Sequence, residues 1–135
     1  MVDWLISIIQ DSRFAPQDYI DLTPQSFKIL PICILGKSSK PNTEDLTNSM
    51  AMLLASVLEE RHINFEHFDP YVEAAMEINY DPINPYEPKL YVIMSQHSCF
   101  KDYIFPIGSI VIDFFDYIPK NEGIKVLRLK IYEKD

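Results

Sequence analysis

The stretch ILPICILGKSSKPNTEDLTNSMAMLLASVLEERHINFEHFDP, residues 29–70, decides the fold. It opens with Ile29-Leu30-Pro31-Ile32-Cys33-Ile34-Leu35, a continuous apolar run stopped by Gly36. A strand covered on one face alternates apolar and polar residues. An unbroken run predicts a central strand buried on both faces, as in parallel sheets. Pro31 lacks an N–H, so the first residues of the run cannot all donate to a ladder. Residues 36–47 are polar and predict a loop. From about Asn48 or Ser49 to His62, the residues Met50, Leu53, Leu54, Val57 and Leu58 recur at helical spacing and predict an amphipathic helix. Ile63 to Phe68 alternates as a second strand and stops at Asp69-Pro70. Strand, loop, helix and strand in so short a stretch make one βαβ unit.

On the N-terminal side, Val2, Leu5, Ile6 and Ile9 form the apolar stripe of a short helix over residues 2–11. Residues 12–28 hold Pro16 and Pro24 among polar residues and predict a connecting arm. On the C-terminal side, residues 70–88 contain Pro70, Pro82, Pro85 and Pro88, which predict a turn-rich connection with one helical turn near Glu73 to Glu77. Leu90 to Met94 is a second continuous apolar strand. Ile110 to Ile112 begins another after Gly108, and Lys125 to Tyr132 alternates as an edge strand. The elements predict an α/β fold: a three-layer, Rossmann-like domain with a mainly parallel sheet and a short N-terminal helix. Residues 1–28 are read as helix and arm, and residues 29–135 as the α/β domain.

Composition narrows the function. A chain of 135 residues supports one core, not two. Its glycines are Gly36, Gly108 and Gly123, too far apart for either G-x-G-x-x-G or G-x-x-x-x-G-K-[ST]. A dinucleotide fingerprint and a P-loop are both excluded; the Gly36-Lys37-Ser38 turn has Pro31 where a P-loop needs its first glycine. Lys plus Arg is 12 and Asp plus Glu is 20, a net charge of −8. With no basic stripe, nucleic acid and anionic membranes are not expected partners. Cys33 and Cys99 are too few for a disulfide scaffold, and no Cys/His spacing suggests a metal site. No basic and apolar leader opens the chain, and no apolar run is long enough to span a bilayer, so cytoplasmic residence is expected.

In an open α/β sheet, ligands sit outside the C-terminal ends of the strands, where the strand order reverses. Two loops border that crevice: GKSSKPNTEDLT after the first strand and SQHSCFKD after Leu90–Met94. The first offers Lys37, Lys40, the hydroxyls of Ser38, Ser39 and Thr43, and the free amides of a helix start near Ser49, a set suited to a phosphate. The same residues also read as a solvated loop with a helix cap. His97 and Cys99 lie close in sequence, but without an identifiable third group to orient them a packing role is expected. Cys33 reads as a small core residue, and His62 and His67 as surface or boundary residues.

At these loops the chain resembles the C-terminal, UDP-binding domain of the UDP-glucose/GDP-mannose dehydrogenase family. That family has an apolar strand, a glycine, a Phe-Lys-Pro-x-Thr-x-Asp-x-Arg-x-Ser segment, a helix, a strand and Tyr-Asp-Pro. Gly36, Lys40, Pro41, Asn42, Thr43, Asp45 and Ser49 match in order, and Phe68-Asp69-Pro70 closes the unit. LYVIMSQHSCF is similar to a later family strand at His97 and Phe100, and GSIVIDFFDYIP to the last one at Asp113. The resemblance runs from about Ile29 to Leu129. It implies a nucleotide-binding set of Gly36, Ser38, Lys40, Thr43, Asp45, Ser49, His97 and Asp113, with no catalytic residue in this chain. Two family arginines are replaced, one by Thr47 and one within Asp113-Phe114-Phe115-Asp116, and Ser39 stands for the family's aromatic residue.

The resemblance leaves three readings. The chain is a stand-alone, partly degenerate UDP or UDP-glucose binding module; or a structural remnant kept for protein contacts; or the detached half of a two-chain UDP-sugar 6-dehydrogenase. In the last case NAD would be held by a separate catalytic chain, since no cofactor is expected on this one. A homo-oligomer also remains open.

Overall fold

The computed structural model describes residues 2–13, 29–83, 86–119 and 122–129. The chain begins with α1 (Val2–Arg13) and β1 (Ile32–Leu35), followed by α2 (Met50–Glu60), β2 (Glu66–Phe68) and α3 (Pro70–Ala75). Then come β3 (Leu90–Ile93), a 3-10 turn (Ser98–Asp102), β4 (Ile110–Asp113) and β5 (Lys125–Arg128). The five strands form one sheet in the order β2-β1-β3-β4-β5, and every neighbouring pair is parallel. The α/β, Rossmann-like class read from the sequence is the one observed. Among the described residues, no helix is long and apolar enough to cross a membrane.

The continuous apolar runs are the central strands. β1, β3 and β4 are buried at every position, because each has protein on both faces. Ile32, Ile34, Leu90, Val92 and Ile112 point to the face covered by α1 and α2, where they meet Leu5, Ile6, Ile9, Leu54 and Leu58. Cys33, Leu35, Tyr91, Ile93 and Val111 point to the other face and meet Phe68, Phe100, Phe105 and Ile118. Aromatic loop residues and short helical turns therefore make the third layer. Tyr91 and Phe105 pack with ring centroids 4.8 Å apart, and Phe100 meets Tyr103 edge-on at 5.2 Å.

Element boundaries shift where capping chemistry decides them. β1 begins at Ile32, one residue past Pro31, whose carbonyl instead accepts from the Leu90 N–H at 2.8 Å. α2 starts after Ser49, whose hydroxyl accepts from the Met52 N–H. It ends where His62 turns left-handed at φ 58°. The Ile63 N–H then closes back on the Leu58 carbonyl, so Ile63 and Phe65 pack on the helical face and only Glu66–Phe68 pairs as strand. The helical turn expected near Glu73 to Glu77 begins at Pro70 instead, because Asp69 caps it and proline suits the first helical position. α1 runs on to Arg13, two residues into the arm expected over 12–28; residues 14–28 of that arm and the end of the edge strand beyond Leu129 lie outside the described residues.

Gly36 is the tightest point of the backbone. It sits at φ 107°, and a Cβ there would overlap Ser95 Cβ and Oγ. Gly108 has a similar φ of 92°, but its Cβ would stand 3.4 Å from Pro88. Gly36→Ala should therefore cost about 3 kcal/mol or more, from backbone strain and overlap together. Gly108→Ala should cost about 1–2 kcal/mol from strain alone. Urea unfolding of both variants checks the order.

Candidate functional site

The strand order reverses between β1 and β3: the chain leaves β1 toward β2 on one side and returns to β3 on the other. The loops at residues 36–49 and 94–100 flank this point, at the carboxyl ends of their strands. They are joined to each other directly. Ser95 Oγ donates to the Ser38 carbonyl at 2.6 Å, the Asn42 N–H donates to His97 Nδ1 at 2.9 Å, and the Ser98 N–H donates to Asn42 Oδ1 at 2.9 Å. The close approach of Ser95 to Gly36 is what lets the first of these form.

Beneath the loops lies Asp69, the last residue before α3 and fully buried. Its Oδ2 accepts from the Lys37 N–H (2.6 Å), the Ser38 N–H (2.9 Å) and His97 Nε2 (2.9 Å). Its Oδ1 accepts from the Tyr71 and Val72 N–H groups at 2.9 and 3.3 Å. Burial opposes ionisation, but the hydrogen bonds from His97, Lys37 and Ser38 outweigh it and hold the carboxyl well below the usual carboxylate range. Because His97 Nδ1 accepts a backbone N–H, the proton of the neutral ring belongs on Nε2, facing Asp69. Glu73 completes the cluster: it accepts from the Asp69 N–H at 2.7 Å and pairs with Lys37 Nζ at 2.6 Å. Tyr71 lies against His97 with ring centroids 4.5 Å apart.

The residues singled out in the sequence fall into two groups. Gly36, Ser38, Lys40, Thr43, Asp45, Ser49 and His97 come together at the crevice. Ser38 Oγ donates to the Lys40 carbonyl at 2.7 Å and lies 3.1 Å from Thr43 Oγ1. Lys40 Nζ stands 3.3 Å from Asp45 Oδ2, with the lysine side chain 68% exposed. Hydrogen bonds from Thr47, then from Lys40, pull the Asp45 carboxyl down. Ser49 caps α2 and donates to the Lys37 carbonyl. Asp113 stands apart, at the end of β4. It is buried, and its oxygens accept from the N–H groups of Phe115, Tyr117 and Ile118 at 2.8–2.9 Å.

The orienting partner of His97 escaped the sequence reading because it is Asp69, 28 residues away. The signal for it was the Asp-Pro pair before a helix, which marks a capping carboxylate. Asn42 was likewise legible only as part of a motif; its φ of 55° turns its side chain toward Ser98 and Tyr71. Cys33 is fully buried in β1, and burial pushes its thiol up to about 12. Burial likewise pulls His67 below its ordinary value, and its Nε2 lies 2.7 Å from the Gly36 carbonyl oxygen.

With that geometry in view, two solved enzymes share the fold. One is the UDP-N-acetyl-mannosamine dehydrogenase Cap5O from S. aureus, with a TM-score of 0.65 at 18% identity, over 94% of this chain and 28% of that one. The other is GDP-mannose dehydrogenase from Pseudomonas aeruginosa, with a TM-score of 0.60 at 18% identity, over 93% of this chain and 30% of that one. The chain thus spans less than a third of the length of either enzyme. The likeness is one of fold, to a domain-sized part of a nucleotide-sugar dehydrogenase. No protein-family model matches the sequence, and no curated protein matches it.

Asp69→Asn should destabilise the chain by about 3 kcal/mol at pH 7, since it leaves buried N–H donors poorly matched. The folded carboxyl is more acidic than the unfolded one, so its contribution is present above about pH 4 and is lost as pH falls further. Urea midpoints at pH 7 and pH 3 check both points: Asp69→Asn should show a smaller drop between them than the parent chain.

Proposed function

We propose that the chain is a nucleotide-sugar binding domain of the dehydrogenase type, taking a uridine diphosphate sugar at the mouth of the crevice between β1 and β3. The observation that carries this reading is the convergence of loops 36–49 and 94–100 at the point where the strand order reverses, where Ser38, Asn42, Ser95 and His97 bind the loops together. The fold shared with two nucleotide-sugar dehydrogenases, together with the motif Gly36, Lys40, Thr43, Asp45 and Ser49, supports that ligand class.

Roles divide by how each side chain is already engaged. Lys40 is the phosphate contact. Its exposed pairing with Asp45 is screened by solvent and contributes little, so exchange for a diphosphate costs little. Asp45 positions the lysine. Ser38, Thr43 and Ser49 shape the loop, Gly36 permits the close approach of Ser95, and His97 and Asp113 support the frame. Hydride transfer is not assigned to this chain. The turn after β1 is a poor fit for a dinucleotide pyrophosphate, because the N–H groups of Lys37 and Ser38 that would cradle it already donate to Asp69. If dehydrogenation occurs, NAD belongs to a separate catalytic chain.

The same two hydrogen bonds favour a second reading, a structural domain whose former site is sealed by its own carboxylate. Thermal unfolding separates the two. With Thr47 and Phe115 in place of arginines, the dissociation constant should be no better than about 0.1 mM, or roughly −5.5 kcal/mol. About 10 mM UDP should then stabilise the fold by at most ~2.7 kcal/mol and raise Tm by up to several degrees. Lys40→Ala should abolish the shift and leave the unliganded Tm nearly unchanged. A well-folded chain with no shift at that concentration selects the structural reading. NADH absorbance in the presence of UDP-glucose and NAD should stay at the no-protein baseline.

A further inference from the structure

The sheet face opposite α1 and α2 carries a groove of about 460 Å³ that shares no residue with the crevice loops. Phe68, Tyr80, Tyr103 and Ile104 form its apolar walls, and Asp81 and Asp102 stand on its rim. The walls are fixed from beneath. The Tyr80 hydroxyl donates to Glu66, and Phe68 packs on Tyr80 at 5.4 Å. Lys89, only 1% exposed, holds its ammonium 3.0 Å from the Pro82 carbonyl and 2.9 Å from Glu66. Tyr103 is braced edge-on by Phe100. A site built this way needs no reordering to accept a ligand.

Charge indicates what fits. Asp81 commits one oxygen to the Ile83 N–H at 2.9 Å, and Asp102 has no hydrogen-bond partner among the described residues. The Lys89 charge below the floor is balanced by Glu66. Lys101, next to Asp102, is turned away over the Tyr117 ring at 4.7 Å. The rim is therefore acidic on a chain of net charge −8. Beside it, Ile104 and Ile107 are 76% and 77% exposed, the most exposed large hydrophobic side chains among the described residues.

We propose that this groove docks a basic, partly apolar peptide segment of a partner protein. The stem of an arginine or lysine lies against Tyr80 and Tyr103, its charged end meets Asp81 and Asp102, and a neighbouring aliphatic side chain covers Ile104. Carboxylates on the rim with the exposed Ile104 beside them suit a chain that carries basic and apolar side chains together.

The test is a 15N NMR titration of the full chain with a capped decapeptide of alternating arginine and leucine, with glutamate replacing arginine in the control. The basic peptide should give saturable shifts at residues 80–83 and 102–104 below about 1 mM. Asp102→Lys should weaken it about tenfold or more, and Ile104→Ser several-fold. Both positions lie on the surface, so the fold and the response to UDP should persist in both variants. The proposal is overturned by an equal response to the acidic peptide, by no saturable shift at these residues, or by free arginine binding as tightly as the peptide. Self-association through the groove without peptide, abolished by Ile104→Ser, also overturns it and makes a second copy the occupant.

Discussion

A buried carboxylate accepting five hydrogen bonds holds together the end of the sheet where the loops gather. Asp69 receives two N–H groups from the turn after β1, two from the first turn of α3, and one from His97 in the loop after β3. A charge without solvent is costly, and only this number of donors makes it tolerable. The dependence runs both ways. Without the carboxylate, the amides of Lys37 and Ser38 would lose their acceptor. Without those amides, the charge would have to leave or be neutralised. His97 is drawn into the same logic, since its second nitrogen accepts from Asn42 and so passes the constraint to the middle of the loop 36–49.

This arrangement separates two properties that a binding loop usually combines. The loop is preorganised, because Ser38, Asn42 and Ser49 are each tied to a neighbour. The ties also use the backbone donors closest to the end of β1, which in many α/β proteins face an anion. What is left toward solvent is Lys40, loosely paired with Asp45. The binding proposed above therefore falls at the rim rather than in the turn.

The two faces of the sheet meet their burial requirement differently. α1 and α2 cover one face with aliphatic side chains on regular helices. The other is covered by Phe100, Tyr103 and Phe105 on short turns, joined by Phe68 at the end of β2, since the later described connections carry no long helix. Large rings bury much area from irregular backbone, but they leave clefts between them. The acidic groove beside Tyr80 and Tyr103 is such a cleft, and the buried Lys89, paired with the partly exposed Glu66, ties the segment around Pro82 to the sheet beside it.

The fold was legible in the amino-acid sequence because burial on both faces leaves a mark that no neighbour can erase. The apolar runs Ile29–Leu35 and Leu90–Met94 read as strands buried on both faces, and the spacing of Leu54 and Leu58 as one helix face. The position of the crevice followed as well, since it depends on the order of elements. The fate of the polar residues did not. Whether Ser38 meets a phosphate or Thr43, and whether Asp69 stops a strand or anchors three segments, depends on donors brought from tens of residues away. Apolar pattern is local and periodic, so sequence determines it. A hydrogen-bond partner is set by which loops the sheet places side by side, and only the tertiary structure decided that.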